Sequence, residues 1–270
     1  MGHRLLALSY DGLTKERWAR VWASSEIEYD PVREPQLRDA LELILRHWPE
    51  PRSGRFLEAG CGPAANSLNL AKRGIEVVGV DLTQEAVDGA REAFVRHGVE
   101  GQFLLGDLRK LPFPDGSFEF VYAGGVVEHF RESLSAVKEM ARVLRPGGRV
   151  LFTVPALTLS YPYLFLRGNV PALPLAEDVM SFIQFRLLRG RLAKFGYERS
   201  FLARDVRRLL DGAELDDVVV RCFDTYLPVL TIPARLRPCA RRLARASLFA
   251  PMYYGTGVKR TSAPQPDATD

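Results

Sequence analysis

The sequence predicts an α/β fold with a mostly parallel sheet, and two observations support this prediction. Short apolar runs rich in β-branched residues alternate along the 270 residues with amphipathic stretches of helical period. This alternation is typical of βα units, in which successive strands run parallel. The other observation is the stretch FLEAGCGPAANSLNLA, Phe56 to Ala71, which has the form of a buried strand, a glycine turn and a helix. Glycine permits such a tight turn and a close approach of the backbone to a ligand.

The strands are assigned from short apolar runs bounded by turn residues, which is the usual signature of buried strands. Their alternation with helical stretches places them in one sheet. The predicted strands are Arg55–Ala59, Glu76–Asp81, Gln102–Leu105, Phe118–Ala123, Arg149–Val154, Leu215–Cys222 and Met252–Lys259.

Helices are predicted ahead of these strands and between them. An amphipathic pattern predicts one helix from Glu34 to Trp48 and another from Gln84 to His97. The segment from Ser200 to Val220 begins with a serine suited to cap a helix, continues with apolar residues at helical spacing and reaches a glycine stop. We therefore expect a helix there, followed by the sixth strand.

Composition indicates a single globular unit. A hydrophobic content of 47% over this length is enough for one substantial core. The three cysteines, Cys61, Cys222 and Cys239, form an odd set whose spacings match no metal motif, which favours a reducing compartment and no zinc site. The chain does not open with a basic segment, an apolar stretch and a cleavage site, so we expect a cytoplasmic protein.

Charge is distributed unevenly along the chain. Residues 186–270 carry 16 basic and 9 acidic side chains, whereas residues 1–185 carry 21 basic and 24 acidic ones. A nucleic-acid substrate calls for a basic stripe with stacking aromatic residues across the active face. Because the half that bears the glycine turn is slightly acidic, a nucleic-acid partner is not favoured.

Two cofactor classes are compatible with the glycine turn. Gly60, Gly62 and Ala65 fit the pattern GxGxx(G/A), and Asp81 ends the next strand about 20 residues later, as in dinucleotide-binding proteins. In that interpretation a pyrophosphate rests on the helix N-terminus, where the carboxylate of Glu58 would add a like charge. Glu58 instead favours a cofactor that lacks phosphate and carries positive charge.

Further motifs follow the turn in order. They are FLLGDLRKLPFPDGSFEFVYAGGVVEHF, from Phe103 to Phe130, and VLRPGGRVLFTVP, from Val143 to Pro155. Together with the acid, one residue and glycine-rich turn of the first motif, they resemble the class I S-adenosylmethionine-dependent methyltransferases. Within that class the chain is similar to the broad small-molecule and lipid methyltransferase subgroup, type 11-like, that includes the quinone-biosynthesis enzymes. The resemblance covers roughly Arg55 to Pro155 well and is weaker over Ser200 to Cys222.

The resemblance implies a Rossmann-like sheet of seven strands, mostly parallel, with helices on both faces and the last strand antiparallel. It also implies S-adenosyl-L-methionine as the cofactor and a transferase as the enzyme class. The chain departs from the family pattern in the turn, where a third glycine is often found and Ala64 or Ala65 stands here. Alanine adds only one methyl group, so we expect cofactor binding to survive.

The resemblance implies a set of cofactor contacts at the carboxyl ends of the strands. Asp81 is expected to accept both ribose hydroxyls, and Asp107, with Leu108 beside it, to lie next to the adenine amino group. The end of the fourth strand is expected under the methionine part. The implied cofactor residues are Glu58, Gly60, Cys61, Gly62, Asp81, Leu82, Asp107, Leu108, Ala123 and Gly124.

Two side-chain types near this site have a chemical and a structural interpretation. Trp18 and Trp22, one helical turn apart, can cover the sulfonium, since aromatic faces attract cations, or can simply pack their helix onto the sheet. We count Trp22 among the cofactor contacts. Cys61 is interpreted as a buried packing thiol rather than a nucleophile.

His129 is the candidate catalytic residue. It follows the fourth strand in VVEHF, at the carboxyl edge to which the reactive methyl group should point, and Glu128 precedes it. A hydroxyl acceptor often needs a general base, because its nucleophilicity rises when it loses the proton. The alternative is a structural histidine at the start of a helix. His3, His47 and His97 receive no role.

The remaining segments are expected to select the acceptor. Residues 1–54 are predicted to form an N-terminal helical lid on a methyltransferase domain at 55–260, with a disordered tail at 261–270. Insertions at about 155–199 and 223–251 are predicted to cap the site. The first insertion is apolar, but Pro155 and Pro162 and its short length argue against a transmembrane helix. The second is arginine-rich, which suits a membrane surface, an anionic partner or a solvated face.

The sequence thus predicts methyl transfer to an oxygen of an apolar or amphipathic small molecule, such as a natural product, quinone, sugar or lipid-linked compound. Nitrogen and carbon acceptors are less favoured. An RNA or protein methyltransferase is the alternative within the class. Outside the class, the alternatives are an NAD-linked oxidoreductase and a non-catalytic nucleoside-binding module. Oligomeric state is not predicted.

Overall fold

The computed structural model of the chain describes residues 2–48, 52–159, 172–173, 179–180, 183, 195–223, 235, 239, 242 and 250–261. Its strands are β1 Arg55–Ala59, β2 Glu76–Asp81, β3 Gln102–Leu105, β4 Phe118–Gly124, β5 Leu144–Pro155, β6 Leu215–Phe223 and β7 Met252–Lys259. Its longer helices are α1 Gly2–Ser24, α2 Pro35–His47, α3 Ala65–Ala71, α4 Gln84–His97, α5 Ser133–Val143 and α6 Ala203–Gly212.

The strands form one sheet in the order β3-β2-β1-β4-β5-β7-β6. β1 to β5 pair in parallel, whereas β7 runs antiparallel to both β5 and β6. The predicted Rossmann-like architecture, including the antiparallel last strand, is confirmed. The strand order reverses between β1 and β4, and in open sheets of this kind ligands bind in the crevice at the carboxyl ends beside that point.

Both faces of the sheet are covered, as expected. Along β1 and β4, alternate side chains point to opposite faces, as the pleat requires. Phe56 and Phe120 face α2, where Trp48 stacks on Phe120 with 5.2 Å between ring centroids. Leu57 and Val121 face the other way, into the cluster formed with α5 and α6.

β5 begins five residues earlier than predicted. The RPGG segment lies inside the strand, because Leu144 pairs with Phe118 and Arg149 pairs with Phe120, an irregularity that the extra residues of β5 absorb. Gly147 adopts a φ of +78° within it. An added Cβ on Gly148 would lie 2.9 Å from the carbonyl oxygen of Arg145, so both glycines are needed for this bulged strand start.

The predicted serine cap of α6 is wrong. The residue that caps the helix is Leu202, and the Asp205 carboxylate accepts a hydrogen bond from the Leu202 N–H at 3.2 Å. Ser200 lies before the helix and is fully buried, with its N–H donating to the carbonyl of Ala172. Bridges of Arg199 to Ala172 and of Phe201 to Ala156 keep the chain extended on both sides of Ser200, so the helix starts after it.

The N-terminal helices lie beside the sheet and its helices. α2 starts at Pro35, and the Glu34 carboxylate caps it by accepting from the Gln36 N–H at 3.1 Å. α1 lies beside α4. The predicted lid at 1–54, the domain at 55–260 and the caps stay predictions; most of the insertions at 155–199 and 223–251 and nearly all of the tail lie outside the described residues. Within the described part of the chain, no helix combines the length and apolarity needed to cross a membrane.

Candidate active site

A cavity of about 420 Å³ opens at the carboxyl ends of β1, β2 and β4. The loop after β3 and the inner faces of α1 and α2 complete its walls. Of the residues predicted from the sequence, all but Ala123 line it. Ala123 is buried and packs into the cluster on the α5 face, because its neighbours Tyr122 and Gly124 take the positions that face the cavity.

The glycine turn is tight, as the sequence predicted. Gly60 and Gly62 adopt φ values of +74° and +50°, and Ala64 also lies in the left-handed region at +60°. A Cβ on Gly60 would overlap the side chain of Val126, and a Cβ on Gly62 would lie 2.9 Å from the Trp22 ring. An alanine in the left-handed conformation is strained by about 1 kcal/mol. A third glycine at position 64 would relieve this strain.

Glu58 holds the turn in place. Its carboxylate accepts from the Ser67 N–H at 3.0 Å, the Ser67 hydroxyl at 2.6 Å and the Asn66 amide at 2.7 Å. Ala64 has no side chain that can cap α3, so Glu58 provides the missing acceptor from the end of β1. Burial raises the pKa of Glu58, and the Ser67 and Asn66 hydrogen bonds oppose this rise.

Asp81 braces the turn from the end of β2. One carboxylate oxygen accepts from the Gly62 N–H at 2.9 Å, and the other accepts from the N–H and hydroxyl of Thr83 at 3.0 and 2.8 Å. Burial raises the pKa of Asp81, and these hydrogen bonds oppose the rise. A carboxylate has about four acceptor positions, so three are already used. The acceptance of two ribose hydroxyls by Asp81 stays a prediction.

Asp107 is paired with Arg109, a residue that the sequence analysis did not single out. The Arg109 guanidinium donates to both oxygens of Asp107, at 2.6 to 3.2 Å, and lies 4.9 Å from the centre of the Phe130 ring. Burial raises the pKa of Asp107, but the Arg109 hydrogen bonds outweigh it and the net shift is downward. Leu108 is buried beside this pair and lines the cavity.

Tyr122 is a second residue that the sequence analysis missed. It is in register with Glu58 across the β1–β4 pair, and an added Cβ on Gly124 would lie 2.5 Å from its hydroxyl oxygen. Gly124 is thus required because the tyrosine hydroxyl takes that space. Glu58 was already predicted to lie at the cofactor site. Because Tyr122 pairs with Glu58 on the neighbouring strand, their pairing is the signal that could have identified Tyr122.

An aromatic wall, formed by Trp22, Trp18 and Phe195, closes one side of the site. The centroids of Trp22 and Trp18 are 5.1 Å apart and those of Trp18 and Phe195 are 5.0 Å apart, with both pairs stacked. The edge of Trp18 meets the ring of His129 at 5.4 Å. The tryptophans therefore pack α1 against the site and also line the cavity, and their contact with the sulfonium stays a prediction.

His129 lies in a short 3-10 helix, Val127–His129, directly after β4. Its Nδ1 is 2.7 Å from the carbonyl oxygen of Tyr197, which can only accept, so Nδ1 carries the proton and Nε2 carries the lone pair. Burial lowers the pKa of His129 to about 4. The imidazole is neutral at physiological pH.

Two further titratable groups near the site, Glu128 and Cys61, have raised pKa values. Glu128 is buried but does not line the cavity, and burial together with Glu198 raises its pKa well above the usual value. The Tyr197 carbonyl, not Glu128, orients His129. Burial, followed by the charges of Asp81 and Glu58, raises the pKa of the Cys61 thiol well above its usual value, which suits a packing role.

The donors and acceptors of the cavity fit a nucleoside that carries positive charge. Carboxylates of Glu58, Asp81 and Asp107 line the cavity together with the glycine turn. A pyrophosphate in the same place would meet the negative charges of Glu58 and Asp81. The fold and the site therefore define a Rossmann-like protein that binds a nucleoside cofactor without phosphate.

Comparison with known proteins agrees with this class. Residues 57–152 match the family described as "Methyltransferase domain". The chain is 31% identical over 146 residues to malonyl-[acyl-carrier protein] O-methyltransferase of Serratia marcescens, covering 54% of the chain and 55% of that protein. It is 36% identical over 179 residues to demethylmenaquinone methyltransferase of Thermus thermophilus, covering 59% and 80%. The YcgJ structure from Bacillus subtilis, at 22% identity, aligns over 83% of the chain and 100% of its own with a TM-score of 0.56.

The chain belongs to the class I S-adenosylmethionine-dependent methyltransferases. The predicted family, enzyme class and cofactor, S-adenosylmethionine, are confirmed at this level. The chain spans about half the length of the Serratia relative. The acceptor and the roles of individual residues stay predictions.

Proposed function

We propose that the protein methylates an oxygen of an apolar or amphipathic small molecule. The observation that carries this proposal is His129, a neutral imidazole in the cavity wall whose Nε2 is the acceptor nitrogen. It follows the carboxyl end of β4, next to the glycine turn that is proposed to hold the cofactor. A hydroxyl is the acceptor group that gains most from a nearby base, because an unprotonated amine needs no deprotonation before attack.

The cofactor residues receive the following proposed roles. Asp81 accepts one ribose hydroxyl in its remaining acceptor position, and Asp107 accepts from the adenine amino group. Trp22 covers the sulfonium, since an aromatic face attracts a cation. Support for these assignments comes from the shared cavity and from the carboxylates at its floor.

S-adenosylmethionine supplies an electrophilic methyl group when bound. The protein's own contribution is to align the acceptor, exclude water and take a proton at His129 Nε2. A pKa of about 4 makes His129 a weak base, so the proton moves as the hydroxyl oxygen loses electron density and not beforehand. The low pKa also keeps Nε2 unprotonated at all pH values near neutrality.

The aromatic wall supports an apolar or planar acceptor. Trp18 and Trp22 line the cavity, with Trp18 next to His129, and an aromatic lining suits quinol or other ring compounds. One relative is named as an O-methyltransferase of malonyl-[acyl-carrier protein] and another as a methyltransferase of demethylmenaquinone. No stripe of basic residues that would favour RNA is apparent among the cavity residues, where Lys15 and Arg109 are the described cations.

The cofactor part of the proposal is tested by calorimetric titration with S-adenosylmethionine, S-adenosylhomocysteine and NAD. We expect the two adenosyl compounds to bind and NAD not to bind. Tight NAD binding without adenosyl binding would instead favour the oxidoreductase alternative.

The acceptor is found by incubating the protein and S-adenosylmethionine with separate panels of quinols, phenols, acyl thioester acids, sugars and RNA. Mass spectrometry detects the gain of one methyl group. With the acceptor in hand, His129→Gln is expected to keep its affinity for S-adenosylhomocysteine and to lower turnover about a hundredfold. Full turnover in this variant at every pH would remove His129 from the chemistry while leaving the enzyme class intact.

A further inference from the structure

The backbone of Tyr197 joins α1 to the candidate base. Its carbonyl oxygen accepts from His129 Nδ1 at 2.7 Å, and its N–H donates to the hydroxyl of Thr14, on α1, at 3.0 Å. The side chains of Thr14 and His129 are buried, and both residues line the cavity. One residue of backbone therefore connects the lid helix with the imidazole.

The contact is built for close approach. Gly196 has a φ of +86°, and an added Cβ there would lie 2.5 Å from the Thr14 hydroxyl oxygen and 2.6 Å from the Thr14 Cα. Only glycine lets α1 come this near to the segment. One turn further along α1, Trp18 stacks on Phe195 and meets His129 with its edge.

These contacts lie on a single face of α1. Thr14, Trp18 and Trp22 are spaced at four residues, which places them in line along the helix. From one end to the other they contact the Tyr197 backbone, His129 and the glycine turn. The same face of α1 thus covers the glycine turn and bonds to the Tyr197 backbone, which in turn bonds to His129.

We infer that Thr14 is a positioning residue for His129, acting through the Tyr197 backbone so that the proton stays on Nδ1 and the Nε2 lone pair faces the acceptor. The importance of this role for catalysis rests on the proposed function of His129. In many enzymes a carboxylate orients the catalytic imidazole; here a backbone carbonyl does so, and α1 holds that carbonyl. The base is complete only when α1 is docked.

The physical reason is the burial of the Tyr197 N–H. Replacing the Thr14 hydroxyl removes the 3.0 Å hydrogen bond that this donor makes, and the loss of a hydrogen bond by a buried N–H is unfavourable. The segment must then shift to find another acceptor, and the carbonyl on its other side shifts with it. His129 loses its fixed partner, and the Nε2–H tautomer, which cannot take a proton at Nε2, becomes accessible.

The test is the tautomer of His129, read from long-range proton–nitrogen NMR spectra of the full chain with S-adenosylhomocysteine. The His129 signals are assigned by their absence in His129→Gln. We expect only the Nδ1–H form in the natural protein, partial or complete loss of that form in Thr14→Val, and its recovery in Thr14→Ser. Thr256→Val is the matched control, because it removes another buried threonine hydroxyl, bonded at 2.7 Å to the Val150 carbonyl, away from His129.

Gly196→Ala is a second route to the same result, since its Cβ forces α1 and the segment apart, and it serves if Thr14→Val does not fold. An unchanged Nδ1–H form in Thr14→Val or in Gly196→Ala would overturn the inference, as would an equal change in Thr256→Val. Calorimetry on the same samples separates this result from the proposed function. Failure to bind S-adenosylhomocysteine would contradict the cofactor assignment. The tautomer measurement, repeated without ligand, tests the role of Thr14 independently of that assignment.

Discussion

The cavity has two halves that are held by contacts of different kinds. The cofactor half is the part around the glycine turn with Glu58 and Asp81, and the acceptor half is the part around His129. In the cofactor half, partners are near neighbours along the chain: Glu58 and Ser67 are 9 residues apart, and Asp81 and Gly62 are 19 apart. In the acceptor half, Tyr197 bonds to His129 across 68 residues and to Thr14 across 183. The cofactor half can form as one βαβ unit, whereas the acceptor half needs α1 and the segment before α6 to be in place.

This difference suggests that substitutions in the two halves have different effects. A change in the cofactor half removes an acceptor within a compact unit and should reduce stability and cofactor affinity together. A change in the acceptor half should alter the state of His129 and leave the cofactor turn intact.

The largest effect is expected for Glu58→Ala. It leaves the Ser67 N–H and hydroxyl without their acceptor and removes the cap of α3. We expect a loss of about 4 kcal/mol in the free energy of unfolding, measured by urea denaturation, because hydrogen bonds to a charged acceptor contribute about 1.5 to 3 kcal/mol each.

Glu58→Gln is the matched control for that variant. Its amide oxygen can still accept from Ser67, and its NH2 can face Asn66, whose side-chain oxygen is buried without a partner among the described residues. We expect it to lose no more than about 1 kcal/mol. If the glutamine and alanine variants were equally unstable, the negative charge and not the hydrogen bonds would hold the turn.

The acceptor half should make stability depend on pH through His129. Burial lowers its pKa to about 4, while the unfolded chain takes up the proton near 6.5. Because the unfolded state binds more protons between these values, the stabilising contribution is present above pH 6.5 and is lost as pH falls to about 4. The loss amounts to about 3 kcal/mol at pH 4.

The measurement compares the natural protein with His129→Gln in urea at a series of pH values. Other buried groups, such as Glu58 and Asp81, titrate in both proteins and cancel in the difference. We expect the difference in unfolding free energy between the two proteins to shift in favour of the glutamine variant as pH is lowered. A difference independent of pH would show that His129 titrates normally and is not enclosed by α1.

A smaller effect is expected for Asp81→Asn. The amide group must replace an oxygen that now accepts from Gly62 or Thr83, so two donors would face each other and one acceptor position would be lost. We expect about tenfold weaker binding of S-adenosylhomocysteine by calorimetry. Asp88→Asn, at an exposed position on α4, is the control and should bind as the natural protein does. Equal affinities in the two variants would remove Asp81 from the cofactor site.

Most of the cofactor half could be predicted from the sequence. The ends of β1, β2 and β3 agree with the predicted bounds, and Asp81 and Asp107 both reach the cavity. Short apolar runs and glycine turns encode these elements locally. The positive φ of Ala64 also occurs at one of the two positions where a third glycine was expected.

The errors have physical reasons. Ser200 is not a cap because bridges to Ala172 and Ala156 hold residues 199–201 extended, so the helix begins only at Ala203; no local pattern reports these contacts. Ala123 faces the core and Tyr122 the cavity, which depends on the side of the sheet to which β4 turns its alternate residues. Arg109 was overlooked because its guanidinium contacts Asp107 and the Phe130 ring, and the sequence does not show the direction of this side chain.

The sequence alone determined the βα order, the glycine turn, the acids at the strand ends and hence the family and cofactor. These features depend on residues close together along the chain, so the strand period, the turn residues and the position of each carboxylate can be recognised in the local sequence. Only the tertiary structure decided that Glu58 caps α3, that Trp22 lies on Gly62 and that Tyr197 joins Thr14 to His129. Such contacts arise when distant segments pack on one sheet edge, and their partners are chosen by the packing of the whole chain.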